Sequence, residues 1–426
     1  LFPSTTLFRS VCCRCFSPRR SGAPDSGVEF RHSARAGEDF RYIPAMSKLR
    51  FLLAVPLLSF LASAVVHAED MRAAWVASVY NINFPSKSGL SAEAQRREIA
   101  QICEIAKSVG LNALMVQVRP ECDALYESRY EPWSRFLTGK QGVSPGYDPL
   151  ETFIVEGRKR GIAIHAWLNP YRAATSASAS RSSKHVANRL GKHVKRVGKQ
   201  LWLDPGSPEV QDYLVEVVRD LVRRYPVAGV HLDDYFYPYP DTYSGSFPDD
   251  DSYARYRASG GRLDRDDWRR HSVNTLVRRL SEAVHSARSG AQFGISPFGI
   301  YTKGQPSNVK AGLDQYHQLY ADPVAWMKQG WVDYLAPQLY WKDGGPQSFR
   351  NLLEWWRSPE VNPRGVPIYP GIAIERLGGS HNWPASEIAT QLSLERSIGP
   401  RPKGGFILWD FGPLKENKKG IRSVVR

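Results

Sequence analysis

Between residues 72 and 410 short apolar runs alternate with longer stretches of helical period. The runs 72–77, 113–118, 162–168, 228–233, 292–296, 332–338, 366–372 and 405–410 are rich in aliphatic and aromatic residues and predict strands. The intervening segments 92–109, 150–160, 208–224, 266–288, 323–329, 349–357 and 386–398 repeat apolar positions every three or four residues and predict amphipathic helices. Boundary signals agree with this division. Ser207-Pro208-Glu209 supplies a cap, a first-turn proline and a first-turn acid, while Gly110 and Gly161 end helices just ahead of a strand. Strictly alternating strands and helices predict an α/β fold with a parallel sheet, and a count of eight predicts closure as a single (β/α)8 TIM barrel.

An open doubly wound sheet would carry a glycine-rich phosphate turn after an early strand, and none follows Ala77 or Val118. Polar and aromatic residues stand there instead: Asn81 and Asn83, Arg119-Pro120-Glu121, Asn169-Pro170-Tyr171-Arg172, Asp233-Asp234-Tyr235, Gln338-Leu339-Tyr340-Trp341 and Trp409-Asp410. In barrels the strands' C-terminal ends form the face that carries active sites. Segments 175–200 and 237–265 read as loop insertions over that face.

The ends of the chain and its charge add context. Residues 1–45 show no hydrophobic period and read as an artefact or spurious leader. Residues 46–68 read as a signal peptide: Lys48 and Arg50 precede an apolar run at 51–66, and Val66 and Ala68 fit a cleavage site after Ala68. Pro56 interrupts that run, which is shorter than the roughly 20 residues needed to span a bilayer. The expectation is an exported protein of the periplasm or cell envelope, without stable membrane insertion, whose catalytic domain occupies 69–426. Of five cysteines only Cys103 and Cys122 lie in that domain, as a disulfide pair or as buried thiols. The formal charge is +15, and residues 173–200 hold seven Lys and Arg without one acid. Such a run is a solvated face or an attractor of an anionic polymer, and in an exported protein an acidic wall glycan fits better than nucleic acid.

Chemistry concentrates at the fourth strand end, Gly229-Val-His-Leu-Asp-Asp-Tyr-Phe-Tyr-Pro238. Two adjacent carboxylates among aromatics repel one another and lose solvation, which raises a pKa towards the range of a general acid. Asp233 and Asp234 are therefore the candidate catalytic residues. Glycosidic cleavage needs a proton donor and a second group, either a carboxylate or the substrate's own acetamido oxygen. Glu121, Glu375 and Asp410 are further acids at strand ends. Tyr235, Tyr340, Trp341 and Trp409 offer faces for pyranose rings, and Gln338 and Asn169 offer hydrogen bonds, whereas Trp75 and Trp167 read as barrel core. His165 and His231 read as core histidines. Neither His-x-His nor His-Glu-x-x-His occurs, nor does a Gly-x-Ser-x-Gly elbow, so neither a metal nor another cofactor is expected.

The segments RAAWVAS, GLNALMVQVRPECDALYES, PWSRFLTG, HAWLNPYRA, GVHLDDYFYP, APQLYW and GGFILWDF, in that order between Met71 and Phe411, resemble the glycosyl-hydrolase-like family 10. Its members include divisome-localised glycosyl hydrolases acting on peptidoglycan. The resemblance implies a TIM barrel in the cell envelope with a peptidoglycan glycan strand as substrate. It matches Asp233 and Asp234 to the family's paired acids, and Arg119, Glu121, Asn169, Tyr171, Gln338, Tyr340 and Trp409 to its polar and aromatic strand ends. Some relatives are lipoproteins, and no lipobox cysteine follows this apolar run. The expected activity is hydrolysis of an N-acetylated cell-wall polysaccharide, with Tyr235 and the matched strand-end residues binding substrate. A glycan-binding barrel without catalysis, or a glycosidase acting on another polysaccharide, is the alternative.

Overall fold

A computed structural model describes residues 70–400 and 404–426. The expected leader, signal peptide and cleavage site at 1–68 lie outside the described residues. Among the described residues there are eleven strands: β1 (Met71–Val76), β2 (Ala113–Arg119), β3 (Ala163–Leu168), β4 (Arg172–Ala174), β5 (Val194–Val197), β6 (Gln200–Leu203), β7 (Gly229–Leu232), β8 (Gln292–Ile295), β9 (Tyr334–Leu335), β10 (Gly371–Ala373) and β11 (Gly405–Trp409). Eight of them form one parallel sheet in the order β10-β11-β1-β2-β3-β7-β8-β9. Parallel bridges Leu335↔Ile368 and Gln338↔Gly371 join the two ends of that order and close the barrel. The (β/α)8 expectation holds.

Alternation along the strands sorts side chains into two cores. Met71, Ala73, Trp75 and Ala77 point inward and meet Met115, Trp167, Tyr334, Tyr369 and Ile407, mixing bulky and small residues inside the cylinder. The intervening residues, such as Ala74, Val76, Leu114 and Val116, pack outward against the helices. Those helices start where the sequence places caps. Ser207 accepts from Val210 N with Pro208 in the first turn, and Asp148 and Asp264 accept from Glu151 N and Asp267 N.

The inner core also holds a polar chain. Trp75 Nε1 donates to His231 Nε2 at 3.0 Å, His231 Nδ1 meets Tyr334 Oη at 3.0 Å, and Tyr334 Oη meets His165 Nδ1 at 3.2 Å. Burial pushes both imidazoles down, His165 to about 4, so both are neutral at physiological pH. With Trp75 donating to Nε2, the His231 proton sits on Nδ1 and points at Tyr334.

Two departures from the expected elements have local causes. The sixth and seventh strands are shorter than 332–338 and 366–372, because Pro337, Pro367 and Pro370 bring no N–H to a ladder. The segment expected as a loop at 175–200 is irregular with a short helix, Val186–Arg189, up to residue 193, but its end joins a small sheet, β4-β6-β5, whose antiparallel β5–β6 hairpin turns at Gly198 with φ +55°. Both Cys103 and Cys122 are buried free thiols, which decides between the two expected forms. Among the described residues no helix is long and apolar enough to cross a membrane.

Candidate active site

Strand β7 ends at Leu232, so Asp233 and Asp234 occupy the first two positions beyond it, where the pleat no longer sends neighbours to opposite faces. Both are nearly sealed, at 5% and 2% exposure. Asp233 Oδ2 accepts from Trp167 Nε1 at 3.0 Å and Asn169 Nδ2 at 3.2 Å, and its Oδ1 accepts from Tyr235 N at 3.3 Å. Asp234 turns towards the other neighbours, accepting from the Tyr239 hydroxyl, and the Gln338 side chain acts on its charge. Burial pushes Asp233 up to about 7; Arg172 opposes the rise and Asp234 adds to it. Burial likewise pushes Asp234 up to about 6, with Tyr239 and Gln338 opposing the rise. The pair is thus set to hold a proton near neutrality, as general acid–base chemistry requires.

Aromatic rings surround these acids. The Trp409 ring stands edge-on to Trp75 at 6.1 Å and to Trp167 at 6.0 Å, which places it over the barrel mouth beside Asp233's hydrogen-bond donor. Tyr235 lies under the Arg172 guanidinium at 4.9 Å and 5.5 Å from Tyr239. Burial raises the Tyr340 phenol, and Glu375, Asp234 and Asp410 add to that rise, so Tyr340 stands within electrostatic reach of all three carboxylates. Gln338 also donates to Ser296 O at 3.2 Å, tying β9's exit to β8's. Asp233, Asp234, Asn169, Tyr235, Gln338, Tyr340 and Trp409 are therefore gathered at one end of the barrel.

Three expected substrate contacts lie elsewhere, and this corrects the sequence reading. Arg119 is fully buried; it pairs with Glu131 at 2.7 Å and donates to the carbonyls of Asn169 and Pro170. Its office is to pin the backbone that carries Asn169. Glu121, 2% exposed, binds Arg135 at 2.7 Å and accepts from Thr175 N, which fixes the loop after β2 to β4's exit. Tyr171 is fully buried in the outer core with a hydroxyl that has no hydrogen-bond partner. A charged or aromatic residue after a strand looks the same in sequence whether it faces a ligand or a neighbouring loop. The partner that decides, here Glu131 or Arg135, is set by tertiary structure.

Other residues enter that sequence reasoning left out. Tyr239 and Arg172 both act on the acids; Arg172 sits within Asn169-Pro-Tyr-Arg172, and Tyr239 directly follows the Gly229–Pro238 motif. Trp167 was expected as core alone, yet its indole N–H reaches Asp233. A cavity of about 370 Å³ opens at the opposite end beside His285, Gln292 and Asp333. There the His285–Asp333 pair at 2.8 Å and the Asp333 bond to Phe293 N secure a strand start, which is the barrel's stability face rather than its reactive one.

A closed parallel barrel thus presents buried paired acids among aromatics at its C-terminal mouth, the face on which barrels carry active sites. The chain belongs to the family described as Glycosyl hydrolase-like 10, whose profile matches residues 70–386. It is 39% identical over 392 residues to glycosyl hydrolase YngK of Bacillus subtilis (strain 168), covering 90% of this chain and 75% of that protein. It is 33% identical over 331 residues to glycosyl hydrolase DigH of Escherichia coli (strain K12), covering 73% and 74%. Among solved structures, the PgaB (BpsB) glycoside hydrolase domain from Bordetella bronchiseptica shares the fold at a TM-score of 0.56 and 15% identity, over 84% of this chain and 98% of that one. Alpha-L-fucosidase isoenzyme 2 from Paenibacillus thiaminolyticus follows at a TM-score of 0.53 and 12% identity, over 84% and 48%.

Proposed function

We propose that this protein is a glycoside hydrolase of the cell envelope that cleaves an N-acetylated wall polysaccharide, with peptidoglycan glycan strands as the substrate. The observation that carries the reading is the pair Asp233–Asp234, sealed at the mouth, held by donors from three sides and pushed towards neutral pKa values. Hydrolysis of a glycosidic bond asks for carboxyl groups in such a setting, and a protein that only binds glycan has no need of them. Trp409 and Tyr340 supply faces for a pyranose ring, and Gln338 and Asn169 supply polar groups at its edge. Membership of a glycosyl hydrolase-like family supports the reaction class. The expected export and the basic segment at 173–200 support an anionic wall glycan.

The test is product analysis by mass spectrometry on peptide-free glycan strands, with chitin and an α-glucan alongside. The parent enzyme should shorten the peptidoglycan strands. Asp233→Asn and Asp234→Asn, folded by circular dichroism, should each lose about 10²–10⁴-fold in rate. Full activity in both variants would remove the assignment, and binding without turnover by the parent would make the barrel a glycan-binding module.

A further inference from the structure

Cleaving a glycosidic bond requires groups on two sides of the sugar. Asp233 and Asp234 are chain neighbours on one side of the mouth. Its other side is built from the exits of β10 and β11, where Glu375 and Asp410 stand beside Tyr340. Glu375 sits in the tight turn Ile374–Leu377, whose Ile374 and Leu377 are fully buried and fix the turn against the core.

The carboxyl groups around the mouth differ in how their oxygens are held. Asp233 accepts from three donors and Asp234 from the Tyr239 hydroxyl. Asp410 Oδ1 accepts from Asn83 Nδ2 at 3.0 Å and from Gly412 N at 2.7 Å. Glu375 differs: Oε1 lies 3.5 Å from Arg376 Nε, while Oε2 is buried without a hydrogen-bond partner, although the side chain as a whole keeps 33% of its exposure. Donors stabilise an anion, and a dry oxygen without one disfavours it. The group so placed is suited to carry a proton and to pass it to an oxygen brought in by a ligand.

We propose that Glu375 is the proton donor of the hydrolysis, acting across the mouth from the donor-held pair Asp233–Asp234; this rests on the glycoside hydrolase reading above. As the C1–oxygen bond breaks, its electron pair stays with the leaving oxygen, which takes the Glu375 proton. Water completes the reaction by adding its oxygen to C1 and giving a proton to a mouth carboxylate, so that the enzyme regains the proton it lost. Burial pushes Glu375 up to about 7, with Arg376 opposing the rise and Asp410 adding to it, so much of it is protonated near neutral pH. Tyr340 and Asp410 are the other titratable groups near it, and both are raised as well.

The experiment compares Glu375→Gln and Glu375→Asp with the parent on peptide-free glycan strands and on dinitrophenyl glycosides of N-acetylglucosamine oligomers. The dinitrophenolate leaves without a proton. Glu375→Gln should lose about 10²–10⁴-fold on the strands but less than about tenfold on the dinitrophenyl substrate, and Glu375→Asp should regain part of the strand activity. The parent's strand activity should fall as pH rises past about 7, a limb absent with the dinitrophenyl substrate. Asp233 lies in the same range, so the limb is assigned by Glu375→Asp, which keeps a carboxyl: its limb should shift from the parent's, and an unmoved limb would overturn the assignment. Equal losses on both substrates, no loss on either, or the same basic limb on both would overturn the assignment while leaving the hydrolase reading intact. A parent inactive on every glycan would overturn both.

Discussion

A carboxyl group pushed up to about 7 has a cost in stability as well as a use. Asp233 takes up its proton in the folded protein near pH 7, but in the unfolded chain only near the ordinary value of 3.8. The folded form therefore binds more protons between about pH 4 and 7, and stability is lost as pH rises through that window. Asp233→Asn keeps an acceptor for Trp167 and cannot ionise. It should melt several degrees above the parent at pH 7.5, on the order of 1–3 kcal/mol, and with the parent at pH 4, by thermal unfolding at both values. A variant that melts lower at pH 7.5 would contradict this account. The buried histidines work with the opposite sign: His165, pushed down to about 4, contributes stability above the unfolded value that is lost as pH falls towards 4. Asp233 and Asp234 were legible in the sequence because an apolar strand ends on them. Arg119 was not, because its partner Glu131 comes from a loop that no periodicity announces.

At the scale of elements, the helices were readable from their caps, and most strands from composition. The β5–β6 hairpin was not. Its residues 194–203 sit in a strongly basic stretch whose charge hides a short alternation of Val, Leu and Trp. That hairpin nonetheless supports the mouth. Trp202, 1% exposed, donates to Phe236 O at 3.0 Å and lies 6.2 Å from Tyr235. Gly198 at its turn needs φ +55°, and a Cβ there would come within 2.3 Å of Thr242 O. Gly198→Ala should therefore cost about 1–3 kcal/mol, push the hairpin off the segment after Asp233–Asp234, and speed proteolysis within 175–200. Urea unfolding with limited proteolysis checks it; an unchanged midpoint with unchanged cleavage would show that the contact carries no energy.

For the whole molecule, charge is unevenly placed. On the insertion beside the mouth, Arg181, Lys184, Arg189, Lys192, Arg196 and Lys199 are exposed and form no ion pair among the described residues, whereas Lys195 lies 3.7 Å from Asp251. Exposed cations act over about 8–10 Å in ordinary salt and are screened beyond it. Raising sodium chloride from 0.05 to 0.5 M, roughly a threefold cut in that length, should lower kcat/KM on anionic glycan strands at least several-fold. The rate on neutral dinitrophenyl oligomers should stay within about twofold. Equal salt effects on both would deny the insertion any part in gathering substrate.

The barrel is zipped unevenly as well. Seven of its edges run as ladders, one of them with a register shift at Gln117–Arg119, but β9 and β10 meet through the bridges Leu335↔Ile368 and Gln338↔Gly371, threaded between Pro337, Pro367 and Pro370. Four backbone hydrogen bonds cross this seam, from Leu335 N to Pro367 O, Tyr369 N to Leu335 O, Gly371 N to Pro337 O and Leu339 N to Gly371 O. Tyr340 and Glu375 hang from the two lips of this seam, while Asp233 and Asp234 hang from a strand laddered on both sides. Closure of the cylinder is therefore made at the lip that carries Tyr340 and Glu375, and a defect in that closure would displace them while leaving the laddered strand under the two acids in place.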